Sequence, residues 1–153
     1  MSWVIVTGAN GGIGAATVHE LIKNNYSVYA ADLVQTPHES FAAYSDATFR
    51  YSPVNVGDEE SVRALAGAAA EVGEPIKGAV LAAGIAHSQP LLDTSFEDWK
   101  RLHAVNADGV FLCLREIARV MIGQAQATPE NTRSLVTVAS NAARVPRAEF
   151  GAY

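Results

Sequence analysis

The residues whose types and spacing point most directly to chemistry lie near the start of the chain, in the segment Thr7-Gly8-Ala9-Asn10-Gly11-Gly12-Ile13-Gly14. It sits between a short apolar run and a stretch with helical spacing. Glycines at 8, 12 and 14 permit a tight turn, a close backbone approach to a pyrophosphate and close packing of a helix on a strand. A helix starting at Ile13 would aim its unpaired N–H groups at that anion. Asp32 follows 18 residues after Gly14, at the end of a second apolar run, where a carboxylate can accept hydrogen bonds from ribose hydroxyls. A purely structural turn and a solvated strand end are the plainer alternatives. Taken together the two features predict a dinucleotide site. The carboxylate also selects between coenzymes, because a 2'-phosphate would meet a like charge there and no Arg or Lys lies within residues 30–45. NAD is therefore expected rather than NADP.

The elements that must position these residues follow from the alternation of apolar runs with helical patterns. Strands are expected at 3–7, 27–33, 48–54, 78–83 and 134–139, each short and nearly continuous in apolar residues, as in strands covered on both faces. Helices are expected at 13–23, 59–72 and 96–125, the last with a capping box from Thr94 to Glu97. Strand and helix alternating in this way predict an α/β fold, a doubly wound parallel sheet of Rossmann type, with any ligand at the carboxyl ends of the strands.

Composition narrows the function. The 153 residues fit one domain, and 49% hydrophobic content is enough for a core. A net charge of −5 with scattered arginines does not suit nucleic acid, and no run approaches the length of a membrane span. The single cysteine, Cys113, allows no internal disulfide, and its apolar helix face suggests packing. No metal site is expected from His19, His38, His87 and His103, which fall on separate elements. A cytoplasmic setting and a small-molecule substrate are the expectation.

The spacing of the glycine turn, with three residues between Gly8 and Gly12 and then Gly14, resembles the short-chain dehydrogenase/reductase family. Further matches run in order along the whole chain. Asn55-Val56 is similar to the family's adenine contact, Ala82-Ala83-Gly84 to its Asn-Ala-Gly segment, and Asn106 to its helix-kinking catalytic asparagine. Ser140 and Tyr153, 13 residues apart, match the separation of its catalytic serine and tyrosine. Within the family, residues 136–147 are most similar to dehydrogenases of 2,3-dihydro-2,3-dihydroxybenzoate, a cyclic dihydrodiol acid of siderophore biosynthesis.

The resemblance implies an NAD-dependent oxidoreductase in which Tyr153 is the base, Ser140 holds the substrate oxygen and Asn106 anchors a water. It implies coenzyme contacts from Gly8, Asn10, Gly11, Gly12, Ile13, Gly14, Asp32, Asn55, Val56, Ala82, Ala83 and Gly84. An acidic substrate needs a cation, and Arg144 and Arg147 follow Ser140, either as carboxylate ligands or as two solvated loop arginines. The family's lysine, four residues after the tyrosine, has no counterpart, since the sequence stops at Tyr153. On that ground the chain reads as truncated and inactive by itself, and as a homo-oligomer when complete. Its fifth strand is expected to be an exposed edge, and the helix face bearing Phe111, Leu114 and Ile117 to be uncovered. Two other readings stay open: a non-catalytic dinucleotide-binding module, and an NAD-dependent dehydrogenase of another alcohol.

Overall fold

The computed structural model describes residues 2–127, 129 and 132–153. Five strands form one parallel sheet: β1 (Trp3–Thr7), β2 (Ser27–Asp32), β3 (Phe49–Pro53), β4 (Ile76–Leu81) and β5 (Ser134–Thr137), in the order β3-β2-β1-β4-β5. Helices α1 (Gly12–Lys23), α2 (Glu59–Ala70), α3 (Phe96–His103) and α4 (Gly109–Ala125) supply the connections except that from β2 to β3, which carries only a 3₁₀ turn at Glu39–Phe41.

The period of two along a strand explains how helices cover both faces. On β1 and β2, Trp3, Ile5, Tyr29 and Ala31 point into a core shared with Val62 and Leu65 of α2 and Cys113 and Ile117 of α4. Val6, Val28 and Ala30 point the other way, onto Val18 of α1 and the Phe41 and Phe49 rings. Both faces of β1 are buried, so its five residues run apolar up to Thr7 without alternating. Strand order reverses between β1 and β4, which places the crevice of a doubly wound sheet beyond their carboxyl ends.

The strands fall where the sequence predicts them, with small shifts at their ends. β4 starts two residues early, at Ile76, whose N–H donates to Gln124 Oε1 at 2.8 Å. It ends at Leu81, the partner of Thr7 at the end of β1, and the Ala82 N–H donating to Thr7 O is the last bond of that ladder.

The expected helix over 96–125 is two helices, α3 and α4, joined by a π-helical turn at Ala104–Asp108. Its cap also differs from the Thr94 to Glu97 box. Ser95 Oγ accepts from Asp98 N at 3.0 Å, while the Thr94 hydroxyl donates back to Pro90 O. A Ser with an acidic residue three positions on competes one step along, and the 3₁₀ turn at Leu91–Asp93 sets the entry that selects it.

β5 is an edge strand exposed at all four residues. On α4, Phe111 is exposed and Leu114 half-buried, but Ile117 is completely buried, contrary to the expectation of an uncovered face. Packing of α4 on α2 and β4 turns Ile117 inward. No helix among the described residues is long and apolar enough to cross a membrane.

Candidate active site

The glycine turn is built by close contact with the end of β4. Gly8 adopts φ +66°, and a Cβ there would lie 2.6 Å from Ala83 N and 2.7 Å from Ala82 O, so conformation and space both require glycine. Gly14 is needed for packing, because its Cβ would fall 2.0 Å from Gly8 O. At Gly12 a Cβ would meet no protein atom within 4 Å. Helix packing therefore does not explain that glycine, whereas the approach of an anion would.

Gly11 caps α1 in extended conformation with no side-chain hydrogen bond, and the first turn carries no acidic residue. The leading N–H groups of α1 are thus left for an external acceptor. Asp32, the last residue of β2, faces this turn: one carboxylate oxygen accepts from Asn10 N at 2.9 Å and the other lies 3.5 Å from Val34 N.

A cavity of about 450 Å³ opens at the carboxyl ends of the strands. Its walls include Gly8, Asn10 and Gly11 from the turn, Asp32 from β2, Asn55 and Val56 after β3, and Ala82, Ala83 and Gly84 after β4. Gly12, Ile13 and Gly14 lie outside that wall; Ile13 points to solvent and Gly14 is buried under Gly8. Leu33, Val34, Val54, Ile85 and Val105 also line the cavity and were missed in the sequence. Val54 belonged to an expected strand, but nothing in the periodicity marks Ile85 or Val105 as neighbours of a turn more than seventy residues away.

Two of the coenzyme candidates have side chains already committed within the protein. The Asn10 amide donates to Thr36 O at 3.0 Å and to the Tyr51 hydroxyl at 3.3 Å, and accepts from His38 N at 2.9 Å. Asn55 Oδ1 accepts from Gly57 N at 3.1 Å, which leaves one lone pair for a ligand. The absent side-chain polarity at Ala82 and Ala83 is offset from β1, where Thr7 O and Oγ1 take their backbone N–H groups.

The candidate catalytic residues lie beyond the wall of this cavity. Asn106 occupies the π-helical turn, and its amide pairs both ways with Ile85, accepting from the N–H at 2.9 Å and donating to the carbonyl at 2.8 Å. It thereby fixes the segment leaving Gly84. Ser140 follows β5 and caps the 3₁₀ turn at Asn141–Ala143 by accepting from Ala142 N at 3.2 Å, so its own O–H remains available. Tyr153 is partly exposed and packs edge-on to Phe150 at 5.6 Å. A bridge between Gln89 and Phe150, with Gln89 N donating to Glu149 O at 2.7 Å, ties the segment before Tyr153 to the loop after Gly84. Arg144 and Arg147 are exposed in the loop after Ser140. Cys113 is buried, and burial pushes its thiol up to about 11, which suits packing and not nucleophilic attack.

Comparison with known proteins converges on one family. The family model of the short chain dehydrogenases matches residues 2–153. The vibriobactin-specific 2,3-dihydro-2,3-dihydroxybenzoate dehydrogenase of Vibrio cholerae serotype O1 is 30% identical over 157 residues, covering 99% of this chain and 57% of its own length. The 2,3-dihydro-2,3-dihydroxybenzoate dehydrogenase of Bacillus subtilis is 29% identical over 151 residues, with 97% and 56% covered. The crystal structure of sorbitol-6-phosphate 2-dehydrogenase from Erwinia amylovora superposes with a TM-score of 0.86 at 26% identity, over 98% of this chain and 59% of that one. The chain spans a little over half the length of these proteins.

Proposed function

The chain belongs to the short-chain dehydrogenase family, and from that premise we propose that it binds NAD(H) for the oxidation of a cyclic dihydrodiol acid, 2,3-dihydro-2,3-dihydroxybenzoate, to the corresponding catechol acid. The observation that carries the coenzyme reading is the convergence of three features on one cavity: the glycine turn, the uncapped start of α1 and the Asp32 carboxylate. The substrate reading is supported by similarity to the two dihydroxybenzoate dehydrogenases and by the two arginines after Ser140.

A nicotinamide coenzyme supplies the hydride acceptor that an alcohol oxidation requires. Gly11 N–H already donates to Gly8 O, so backbone N–H groups at Gly12 and Ile13 would hold the coenzyme's pyrophosphate, Asp32 its adenosine ribose, and Asn55 with Val56 its adenine. The open space at Gly12 and the bare helix start fit such a group. Ala83 and Gly84, held in place by Thr7 and Asn106, would border its nicotinamide end.

The protein's own groups then handle the proton. Ser140 donates its hydroxyl hydrogen to the substrate oxygen, since Ala142 N–H already occupies one of its acceptor positions. Tyr153 takes the hydroxyl proton as the carbon is oxidised. Arg144 and Arg147 are the carboxylate ligands, Arg147 foremost. The ring ketone formed tautomerises to a catechol, and the gain of aromaticity makes the oxidation effectively one-way.

Fluorescence titration with NADH and NADPH tests the coenzyme reading: NADH is expected to bind at least tenfold more tightly. Following NADH formation from the dihydrodiol benzoate and from a simple cyclic alcohol tests the substrate reading. NADPH preference would defeat the first, and equal rates on the two alcohols the second.

A further inference from the structure

We propose that Tyr51 is a positioning residue for coenzyme selection, acting through a strap at residues 33–38 that it and Asn10 clamp against the glycine turn. The proposal rests on the coenzyme reading of the cavity given above.

The strap leaves β2 directly after Asp32, and its first two residues, Leu33 and Val34, form cavity wall beside the carboxylate. Both side chains are largely exposed, at 69% and 54%, so apolar burial does not hold this wall in place. Polar contacts from other elements do. Tyr51, on β3, donates its hydroxyl hydrogen to Val34 O. The Tyr51 hydroxyl oxygen in turn accepts from Asn10 Nδ2 at 3.3 Å. Asn10 also donates to Thr36 O and accepts from His38 N, so one amide from the glycine turn holds the strap at two further points. Beyond these points Ser40 Oγ contacts both the His38 ring at 2.8 Å and the His19 ring at 3.0 Å, which fastens the far end to α1.

Every hydrogen-bonding atom of the Asn10 side chain is used in this arrangement, and the amide has no donor left for a ligand. The role of Asn10 is therefore to join the two loops that flank Asp32. Tyr51 completes the joint from beneath. Burial, followed by the nearby Asp32 charge, raises its phenol above the ordinary value, so it stays protonated and able to donate across the neutral range.

The consequence concerns the 2'-position of the adenosine ribose. Asp32 opposes a 2'-phosphate by charge, and a clamped wall at Leu33 and Val34 opposes it by space. It also keeps both carboxylate oxygens aligned for ribose hydroxyls, since Val34 N–H is one of their partners. Releasing the wall weakens NADH and relaxes the exclusion of NADPH. The ratio of the two affinities should change, which a uniform loss of stability would not produce.

Tyr51→Phe keeps the ring and removes only the hydroxyl. Kd for NADH and for NADPH is measured on the wild-type chain and on the variant by fluorescence titration, with hydrogen exchange of the 33–38 amides on both. The expected result is a fall of about three- to tenfold in NADH preference, the size of one lost hydrogen bond, together with faster exchange confined to the strap. A preference unchanged within twofold, equal weakening of both coenzymes, or unaltered exchange at 33–38 overturns the proposal. Wild-type protein that binds neither coenzyme defeats the coenzyme reading, and the proposal with it, before any substitution is made.

Discussion

Glycines 12 and 14 lie two residues apart at the start of α1, and the structure assigns them opposite consequences when each is replaced by alanine. At Gly14 the new methyl would sit 2.0 Å from Gly8 O, 2.7 Å from Gly8 C and 2.9 Å from Ala9 Cα, all backbone atoms that cannot swing aside. Forcing a methyl into so close a backbone contact costs about 1–3 kcal/mol or more. For a chain of this size the melting temperature should fall by about 2–12 °C. At Gly12 the methyl meets nothing within 4 Å, and the residue is exposed on ordinary helical backbone. Gly12→Ala removes freedom from the unfolded chain and should stabilise by roughly 0.4–1 kcal/mol, or raise the melting temperature by about 1–4 °C. A pyrophosphate held by the N–H groups of the helix start would meet that methyl. NADH affinity should therefore fall at least tenfold, about 1.4 kcal/mol, in a protein that is more stable than its parent. Differential scanning fluorimetry and NADH titration on the two variants measure both quantities. A Gly12→Ala protein that melts below wild type, or binds NADH as well as wild type, would refute the assignment of that glycine to a ligand.

Two further outcomes follow from the same structure. Asn106→Ala strips the partners from the Ile85 N–H and C=O, which should cost about 1–3 kcal/mol in urea unfolding; a loss below about 0.5 kcal/mol would show that water replaces the amide at no cost. Hydrogen bonds from Arg115, and then from Arg119, hold the Glu116 carboxyl below its ordinary value, so the unfolded chain takes up its proton first as pH falls. The stabilising contribution is thus present above the ordinary carboxylate value of about 4.3 and lost as pH drops through the lowered folded value. Glu116→Gln should flatten the acid limb of a plot of urea midpoint against pH, and an unchanged acid limb would contradict this account.

The parts of this protein that were legible in the sequence are those set by neighbours along the chain. Strand centres could be read because each of the inner strands must be apolar on both faces. The glycine turn and Asp32 could be read because a strand, a turn and a helix start are contiguous, and the acid ends the next strand. The resemblance in spacing that pointed to the family was likewise a property of order along the chain, and the match over residues 2–153 agrees with it.

What only the tertiary structure decided involves partners far apart in sequence. The helix expected over 96–125 breaks into α3, a π-helical turn and α4, and there Asn106 turns its amide onto Ile85, 21 residues earlier. The capping box moved by one residue because the preceding 3₁₀ turn fixed where the chain enters α3. Ile117 was expected on an open face, yet packing against α2 and β4 buries it. Asn10 lies within the glycine turn as the sequence suggested, but its side chain reaches Thr36 and His38 of the strap and Tyr51 of β3, 26 to 41 residues away. Local spacing determined which backbone groups could meet an anion, because a turn's geometry depends on its own few residues. The walls around that turn depend on which strands lie side by side, and only folding the sheet in the order β3-β2-β1-β4-β5 brought Tyr51, Asn10 and Ile85 to the same rim.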